Sequence, residues 1–469
     1  MKICLKFKKA KVFLLIYLCG IVLFVSSCST LKPNSVSENA DFLPASYSTE
    51  AKSNNSNHDV AWWHSFQSDE LNNLISITFS ENLSIEQAWA RLKQAKELAA
   101  KRGAAIYPNL EINLNASEQD PLPSISDPNN WSGGIVSNYE LDLWGRINAI
   151  KSSAKLDAIT AKQAAETLMV TLSAEVALKW NEVIARRLEL SVLEEQISSN
   201  KTMLELIELR FNNSLASALD VFQQKQIVES SQALMPILER QERLALLELS
   251  TLLGSTKLPE VNTPNIVKIS PLPELGLPID LLSNRPDIKA AESSLDASDW
   301  LVAAARADRL PAIRISSKLS STGESSSDLF DNWITTFLGG LTMPFFDSGQ
   351  RKAEKNRSIA LSEERLGYYK ETILKAIQEV ETSLTLEETQ KEYIDSLKEQ
   401  LEAAENSYNE AISRYQNGAL EYTTVLLQLN SFQQLQRSMI QAREKEIAYR
   451  IALHRALGGK WVDKLIKGD

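Results

Sequence analysis

Apolar residues alternate with polar residues in four segments of this chain, at positions 110–116, 131–143, 313–319 and 333–345. A period of two predicts β-strands with one apolar and one polar face. Tryptophan or tyrosine lies near the ends of these segments, as in the lipid-facing wall of a membrane barrel. A soluble sheet that is packed on one side gives the same period, so the pattern alone leaves that alternative open.

Four such strands cannot close a membrane barrel by themselves, because the smallest single-chain barrels contain eight. Open strand edges are not tolerated in lipid, where no water satisfies the backbone groups. If the strands enter a membrane, several chains must therefore share one barrel. The pattern predicts either a dimer with eight strands or a trimer with twelve.

A seven-residue spacing of apolar positions runs through two long segments that are predicted to be helices. Residues 146–211 contain neither proline nor glycine, so we expect an unbroken helix of about 100 Å. Its heptad positions are Met169, Val176, Val183, Leu190, Ile197, Leu204 and Phe211. The second segment has Ile373, Val380, Ile394, Leu401, Tyr408 and Tyr415, with Glu387 as the one break. This spacing predicts supercoiled helix packing. A free coiled coil or rod is the alternative, and the strands argue against it.

An internal repeat relates the two halves of the chain. Residues 210–216 (Arg-Phe-Asn-Asn-Ser-Leu-Ala) return 204 positions later as residues 414–420 (Arg-Tyr-Gln-Asn-Gly-Ala-Leu). Each copy is predicted to run helix, strand, strand, long helix, turn, returning helix. In the first copy the opening helix covers about 84–105 and ends before a proline.

Each long helix is predicted to reverse in a tight turn. The returning helices cover about 219–253 and 421–457. Pro236 lies inside the first of them and should kink or break it. Gly418 or Asn213 is the candidate for the left-handed residue of such a turn.

The chain ends and a proline-rich middle segment give the predicted domain boundaries. Lysines precede an apolar run at 12–25, which has the length of an export signal and is too short to span a bilayer. The run closes on Val25-Ser26-Ser27-Cys28, which resembles the bacterial lipobox and predicts lipid attachment at Cys28. The predicted divisions are a lipoprotein signal peptide (1–27), a lipidated extended tether (28–60), a first repeat (61–258), a linker (259–284), a second repeat (285–458) and a C-terminal tail (459–469).

Charge and residue usage narrow the function class. The formal net charge is −10, and loss of the signal lysines makes the mature chain more acidic, so nucleic-acid binding is not expected. Cys28 is the one cysteine left after cleavage, so no disulfide framework is predicted. The three histidines are scattered, and we predict no metal site, catalytic residue or cofactor. No mature segment is apolar enough for a membrane-spanning helix.

Several motifs together carry a family resemblance. Residues 275–292 (Leu-Gly-Leu-Pro-Ile-Asp-Leu-Leu-Ser-Asn-Arg-Pro-Asp-Ile-Lys-Ala-Ala-Glu) resemble the inter-repeat signature of the TolC-type outer-membrane factors, in the lipoprotein branch of multidrug efflux channels. Within them Pro286 and Asp287 suit the first turn of a helix. The resemblance spans about 60–458 and includes Trp62-Trp63-x-x-Phe66, Leu-Asp-Leu-Trp-Gly-Arg at 141–146, Phe-Asp-Ser-Gly-Gln-Arg at 346–351 and both turns.

The resemblance implies a mainly helical homotrimer. A twelve-stranded barrel would lie in the cell outer membrane, and a coiled-coil tunnel of helices would reach into the periplasm. The implied function is the passive exit duct of a tripartite efflux system for small molecules, without enzymatic activity. The implied partners are a periplasmic adaptor protein, an inner-membrane pump and, through Cys28, outer-membrane lipid.

The resemblance also implies that the two turns dock the adaptor and close the channel. The expected docking residues are Asn213, Ser214, Ser217, Asn417, Gly418 and Thr423. The expected gate region contains Asp220, Glu421 and Leu427. Related channels often carry an aspartate ring where this chain has Leu427, which leaves an acidic constriction undecided. Ordinary turn chemistry is the alternative explanation for the docking residues.

Other functions fit parts of the pattern. The same duct would serve protein secretion or metal efflux, because substrate choice lies mainly with the pump. A periplasmic adaptor or structural coiled-coil lipoprotein would share the long hairpins, but an adaptor should also contain a strand-rich lipoyl-like domain that the sequence does not predict. An anchored hydrolase would need a nucleophile, histidine and acid, and no such cluster is evident in the sequence.

Overall fold

The computed structural model describes residues 44, 46–47, 61–117, 130–269, 271–273, 275–323, 327–459 and 461–462. The predicted signal peptide and Cys28 lie outside the described residues. So does most of the predicted tether. Within the described part of the chain, the predicted fold class is confirmed: long helices dominate, and four strands form one sheet.

The helices follow the order that the repeat predicts. Those of the first repeat are α1 (Asp69–Glu81), α2 (Leu83–Ala104), α3 (Arg146–Asn212) and α4 (Ala218–Leu252). Those of the second repeat are α5 (Pro286–Ala307), α6 (Gln350–Gln416) and α7 (Tyr422–Leu457). Short 3-10 segments occur at Trp62–Phe66, Pro278–Asp280 and Asp328–Phe330, and Leu281–Asn284 forms one helical turn. The helix bounds given from the sequence are confirmed to within one residue.

The two long helices, α3 and α6, have the same length of 67 residues. Pro236 lies inside α4 without ending it, so of the kink or break predicted for it, the break is wrong. A proline removes one backbone hydrogen bond, a loss that the packing of a 35-residue helix can outweigh.

The four strands form one antiparallel sheet in the order β1-β2-β3-β4. Their bounds are β1 (Asn109–Ser117), β2 (Asn130–Leu141), β3 (Ala312–Gly323) and β4 (Trp333–Thr342). Leu143, Met343 and Phe345, which the alternation assigned to strands, lie just beyond these ends. Each repeat therefore supplies one hairpin, and β2 and β3 join the two hairpins.

The register of the sheet places the predicted apolar faces of all four strands on one side. Ile112 pairs with Ile135, Ile135 with Leu319, and Leu319 with Thr335. Because side chains alternate along a strand, a slip of one residue would turn a whole apolar set to the opposite face. The register thus preserves the alternation that the sequence shows.

The described chain divides into two compact units, and each draws on both repeats. The first unit contains residues 91–162 and 290–370, which include the sheet. On its polar face, Glu140 lies opposite Arg314 and accepts from Arg314 Nε at 3.2 Å and from Arg146 Nη2 at 2.7 Å. The Trp144 indole donates to the carbonyl of Pro311 at 2.6 Å.

The second unit contains residues 163–289 and 371–469 together with 42–90. Its largest apolar cluster surrounds the fully buried Trp180 and includes residues of α1, α3, α4 and α7. Trp63 and Trp461 pack edge to face at 4.7 Å between ring centroids, so residues near both ends of the chain share this core. No helix in the described ranges is both long enough and apolar enough to cross a bilayer.

The heptad break at Glu387 has a partner in α7. Arg450 donates to both carboxylate oxygens of Glu387 and to the carbonyl of Pro271. The side chains of Arg450 and Glu387 are only 5% and 12% exposed. The polar residue therefore occupies a core position because a buried cation faces it.

The helix ends repeat the same contact in both copies. In the first repeat the Asn82 side-chain amide donates to the carbonyl of Leu252 at 2.7 Å. At the corresponding position of the second repeat, Arg285 Nη1 donates to the carbonyl of Ala456 at 2.8 Å. Each side chain satisfies a carbonyl that the end of a returning helix leaves without an intrahelical partner.

Candidate docking tip

The predicted functional residues lie at the two chain reversals, which we call the tip (residues 203–227 and 408–427). In the first reversal Leu215 N donates to Arg210 O at 2.8 Å, and Ser214 N donates to Phe211 O at 2.9 Å. This pair of bonds is a Schellman motif, which ends a helix on a left-handed residue. That residue is Ser214, with φ of 60°.

The second reversal repeats the motif 204 residues later. Ala419 N donates to Arg414 O at 2.9 Å, Gly418 N donates to Tyr415 O at 3.0 Å, and Gly418 has φ of 73°. The predicted left-handed role of Gly418 is confirmed. The alternative assignment to Asn213 is wrong, because the residue that aligns with Gly418 is Ser214.

Asn213 and Asn417 have a different and matching role. The side-chain amide of Asn213 donates to Leu209 O at 2.8 Å, and that of Asn417 donates to Ser413 O at 2.9 Å. Each amide satisfies one of the last carbonyls of a long helix. Both side chains are solvent-exposed.

Ser217 and Asp220 cap the start of α4 through two reciprocal hydrogen bonds. Asp220 N donates to Ser217 Oγ at 3.2 Å, and Ser217 N donates to Asp220 Oδ2 at 2.9 Å. This reciprocal pair is a capping box. Asp220 therefore stabilises the helix start, which is a structural role beside the predicted gate role.

The remaining predicted gate and docking residues lie at the start of α7. Glu421 is its N-cap residue, and its side chain makes no capping hydrogen bond. Thr423 and Leu427 are exposed.

A small apolar core joins the two reversals. Ile207 of α3 packs with residues of α6 and α7, among them Tyr415, Tyr422 and Val425. Arg210 lies over the Tyr415 ring at 4.7 Å from its centroid, a cation–π arrangement. Its Nη1 also donates to Gln416 O at 3.4 Å. At this end of α3 the predicted heptad residue Phe211 is exposed, whereas Ile207, four residues earlier, is buried.

The outer surface of the first reversal is apolar. Its large exposed side chains are Leu209, Phe211, Leu215, Leu219 and Phe222. Exposed apolar residues that cluster at one place on a protein are typical of a contact surface for another protein. The docking residues predicted from the sequence include none of these side chains, so this surface was not predicted.

A chain of buried hydrogen bonds, which we call the polar seam, runs from the tip between the helices. Tyr422 donates to Gln224 Oε1 at 2.5 Å, and Gln224 donates to the carbonyl of Asn200 at 2.8 Å. Gln433 then donates to Asn200 Oδ1 at 2.9 Å. Gln196 donates to the carbonyl of Gln433 at 3.1 Å. Burial raises the pKa of Tyr422, so its phenol stays a neutral donor.

Charged groups continue the seam away from the tip. Arg186 lies between Glu189 and Glu444, at 2.6 Å from one carboxylate and 2.7 Å from the other. Asn181 donates to the carbonyl of Glu444 at 3.0 Å. Burial raises the pKa of Glu444 in spite of Arg186. Hydrogen bonds and an ion pair thus link α3 and α7 along this stretch.

The sequence indicates that Asn200 is a buried polar residue, but it does not predict which residues hydrogen-bond to it in the polar seam. Asn200 lies between Leu193 and Ile207 at a spacing of seven residues. A polar residue in such a buried series is a known device for fixing helix register. Its partner Gln433 lies 233 residues away in a different helix. A periodic pattern marks which face is buried, but it does not identify the residue across the interface.

We expect Gln433→Leu to destabilise the protein by about 1–3 kcal/mol, because buried Asn200 Oδ1 loses the hydrogen bond that it accepts from Gln433. The Asn200 amide nitrogen keeps its bond to Ser231. The double variant Asn200→Leu/Gln433→Leu should lose less than the sum of the single losses. Thermal unfolding in detergent, followed by circular dichroism, measures both. The control is Gln441→Leu, at an exposed glutamine of the same helix; additive losses would argue against the seam as a coupled unit.

Comparison with known proteins identifies the family. The model of the outer membrane efflux protein family matches residues 74–255 and 277–459. The chain is 32% identical over 413 residues to the pyoverdine export outer membrane protein OpmQ of Pseudomonas aeruginosa, over 85% of this chain and 87% of that protein. It is 25% identical to the cation efflux system protein CusC of Escherichia coli, over 86% and 89% of the two chains.

Solved structures share the fold. The Campylobacter jejuni CmeC outer membrane channel superposes with a TM-score of 0.84 at 19% identity, over 94% of this chain and 98% of that one. The outer-membrane channel OprN gives 0.83 at 23% identity, over 92% and 100%. Because the family model covers most of both repeats and a relative exceeds 30% identity across most of the chain, this protein belongs to the outer membrane efflux protein family.

Proposed function

We propose that this outer membrane efflux protein is the passive exit duct of a tripartite system. It receives small molecules from a periplasmic adaptor and an inner-membrane pump and releases them outside the cell. The observation that carries the proposal is the tip: two equivalent Schellman turns are joined by one small core, and the first of them presents an exposed apolar surface. A surface of this kind suits the docking of another protein.

We further propose that three chains share one barrel. Within the described residues, β1 and β4 each pair with one neighbouring strand, so both outer edges of the sheet are free. In lipid those edges need partners from other chains. Three copies supply twelve strands. Light scattering in detergent, corrected for bound detergent, should give about three times the protomer mass.

The tip residues divide into two proposed roles. Asn213, Ser214, Ser217, Asn417, Gly418 and Thr423 shape or border the docking surface. Asp220, Glu421 and Leu427 belong to the proposed gate region. Since Asp220 also caps α4, its replacement should affect the helix start as well as any gating.

Gly418→Val tests the docking role. Gly418 has positive φ, and a side-chain Cβ at this position would meet no atom within 4 Å. The cost is therefore conformational strain of roughly 1–2 kcal/mol, without a clash. We expect normal trimer levels in the outer membrane, weaker crosslinking of the adaptor near residue 418, and loss of export.

The matched control is Gly418→Ser, because Ser214 already occupies the equivalent position with positive φ. This variant should keep adaptor crosslinking and export. Normal trimer with normal export in Gly418→Val would leave the turn as a simple chain reversal. Loss of the trimer would make the turn a folding element. Either result would contradict the docking assignment.

We also propose that Cys28 carries the membrane anchor, after removal of the signal peptide at residues 1–27. The apolar run that closes on Val25-Ser26-Ser27 supports this. Mass spectrometry of the mature N-terminus should find a diacylglyceryl cysteine, and Cys28→Ser should abolish it. Cleavage that leaves a free Ser29, or an intact signal, would be inconsistent with the anchor.

The exported substrate is a separate question. The relatives include one named for pyoverdine export, at 32% identity, and one named for cation efflux, at 25% identity. The higher identity favours an organic small molecule over a metal ion, and protein secretion remains a further alternative. Intracellular accumulation of candidate compounds in a deletion strain, with and without the restored chain, distinguishes these substrates.

A further inference from the structure

An open groove of about 590 Å³ lies between α2 and α3, and lysines line it. Its floor is made of small residues, among them Ala99, Ala100 and Gly103. The cations that line it are Lys96, Lys151 and Lys155, and no carboxylate lines it. Among the described residues, none of these lysines forms an ion pair. We call this feature the lysine groove.

The internal repeat shows how the lysine groove arises. At the shifts of 203 and 204 that relate the copies, Asp299 corresponds to Lys96 and Ser362 corresponds to Ala158. In the second repeat Ser362 Oγ donates to Asp299 Oδ1 at 2.5 Å, which ties α5 to α6. In the first repeat a lysine faces an alanine at this place, so the two helices have no such bond.

Gly103 keeps the lysine groove open. Its counterpart in the second repeat is Arg306. The side chain of Lys151 lies against Gly103, with its Cε 3.5 Å from the position that a Cβ would occupy. An arginine at residue 103 would therefore compete with Lys151 for the same space. Lys151 has a cation, Lys355, as its counterpart, whereas Lys96 and Lys155 correspond to Asp299 and Ile359. The cluster of three lysines therefore belongs to the first repeat alone.

We propose that the lysine groove binds the headgroup of an anionic phospholipid. Three cations around one open groove favour an anion, and each basic residue near an anionic lipid surface adds to the attraction. The small apolar floor accepts the glycerol and the first carbons of the acyl chains. Exposed Tyr107, which also lines the groove, lies two residues before β1, where an aromatic side chain suits a membrane interface.

This site rests on the proposed function in one respect: the strands must enter the membrane for the lysine groove to lie near headgroups. A soluble anion in transit offers the same negative charge. The lipid is favoured because the floor is apolar and because the groove adjoins the first residues of the sheet. Competition between phosphatidylglycerol and inorganic phosphate distinguishes a lipid headgroup from a soluble anion.

Native mass spectrometry of the full-length protein, delipidated in detergent, tests the proposal. Palmitoyl-oleoyl phosphatidylglycerol should bind more tightly than palmitoyl-oleoyl phosphatidylcholine. Removing each groove lysine should reduce phosphatidylglycerol affinity roughly fivefold. The triple variant Lys96→Gln/Lys151→Gln/Lys155→Gln should therefore lose the preference. The control, Lys93→Gln/Lys201→Gln/Lys257→Gln, removes the same charge from exposed positions outside the groove and the tip and should keep it.

Gly103→Arg separates a built site from general electrostatics. It adds a positive charge and fills the lysine groove, and it replaces a helical glycine by a better helix former. We expect weaker phosphatidylglycerol binding despite the added charge. Stronger binding, or equal binding of the two lipids by the unaltered protein, would overturn the site.

Competition identifies the source of the anion. Millimolar inorganic phosphate should not displace phosphatidylglycerol, and displacement would assign the lysine groove to soluble anions and overturn the lipid proposal. Export and trimer level, measured in the same variants, should be unchanged. If lipid binding fails while export remains, only the lysine groove assignment is lost. If the unaltered protein does not export, the proposed function fails instead.

Discussion

Replacing Arg450 by leucine is expected to destabilise the protein by about 3–5 kcal/mol, because it leaves Glu387 as a buried charge without its partner. Both side chains are largely buried, and Arg450 bonds both oxygens of the carboxylate. The measurement is the midpoint of thermal unfolding of the purified protein in detergent. Arg443→Leu, at an exposed arginine of α7, is the matched control.

The double variant Glu387→Leu/Arg450→Leu should recover most of this loss. Well-packed apolar residues often replace a buried ion pair at no cost or with a gain in stability. Leucine at 387 also completes the heptad between Val380 and Ile394. A single variant no worse than the exposed control would show that the ion pair does not stabilise the fold. A double variant worse than Arg450→Leu would show that the site does not accept apolar residues.

Gly254→Ala is expected to be the second most damaging change, at about 2–4 kcal/mol from the left-handed conformation and overpacking together. Gly254 follows α4 with φ of 68°, and an added Cβ would lie 2.2 Å from the carbonyl oxygen of Glu81. That neighbour is backbone and cannot rotate away. The loss should appear as a lower thermal unfolding midpoint.

Two other glycines make this a graded series. Gly458 is the counterpart of Gly254 in the second repeat, and its added Cβ would lie 2.8 Å from the carbonyl oxygen of Asn284. Gly145 has a similar φ of 74° but meets nothing within 4 Å. The loss on change to alanine should fall from Gly254 to Gly458 to Gly145. Equal losses at all three would mean that backbone strain alone matters and that the close contact does not.

The apolar core of the tip and the polar seam beyond it respond differently to a shift of one helix along another. Its small core around Ile207 is apolar, whereas the polar seam beyond it consists of directional hydrogen bonds. Apolar packing tolerates small shifts of a helix, but a buried amide that loses its partner costs about 1–3 kcal/mol. The seam therefore holds α3 and α7 in one register.

The sequence by itself determined the elements and their order. Helix bounds depend on local features: the absence of proline and glycine in 146–211, and the motif that ends each long helix. Strand faces depend on a period of two, and the apolar sets of all four strands lie on one side of the sheet as that period predicts. Helix bounds and strand faces depend on residues a few positions apart in the chain, so they can be predicted without knowing which distant residues come into contact.

At the tip, the sequence located the turns but not all of their chemistry. The repeat of Arg210 at Arg414 predicted two equivalent reversals, and Gly418 was one of two candidates for the left-handed residue. Ser214 was not, because a serine with positive φ pays a strain that local propensity argues against. The surrounding turn fixes that conformation. Exposed Phe222 was not predicted to be part of the docking surface, because it lies in α4, outside the repeated turn motif.

Only the tertiary structure decided which polar residues meet. In the sequence Glu387 only interrupts a heptad series, whereas in the fold it pairs with Arg450, which lies 63 residues later. Asn200 likewise became part of a network only through Gln433. Periodicity fixes which side of a helix is buried, because that depends on the backbone repeat alone. The partner across an interface depends on how helices distant in sequence align, and no local pattern encodes that alignment.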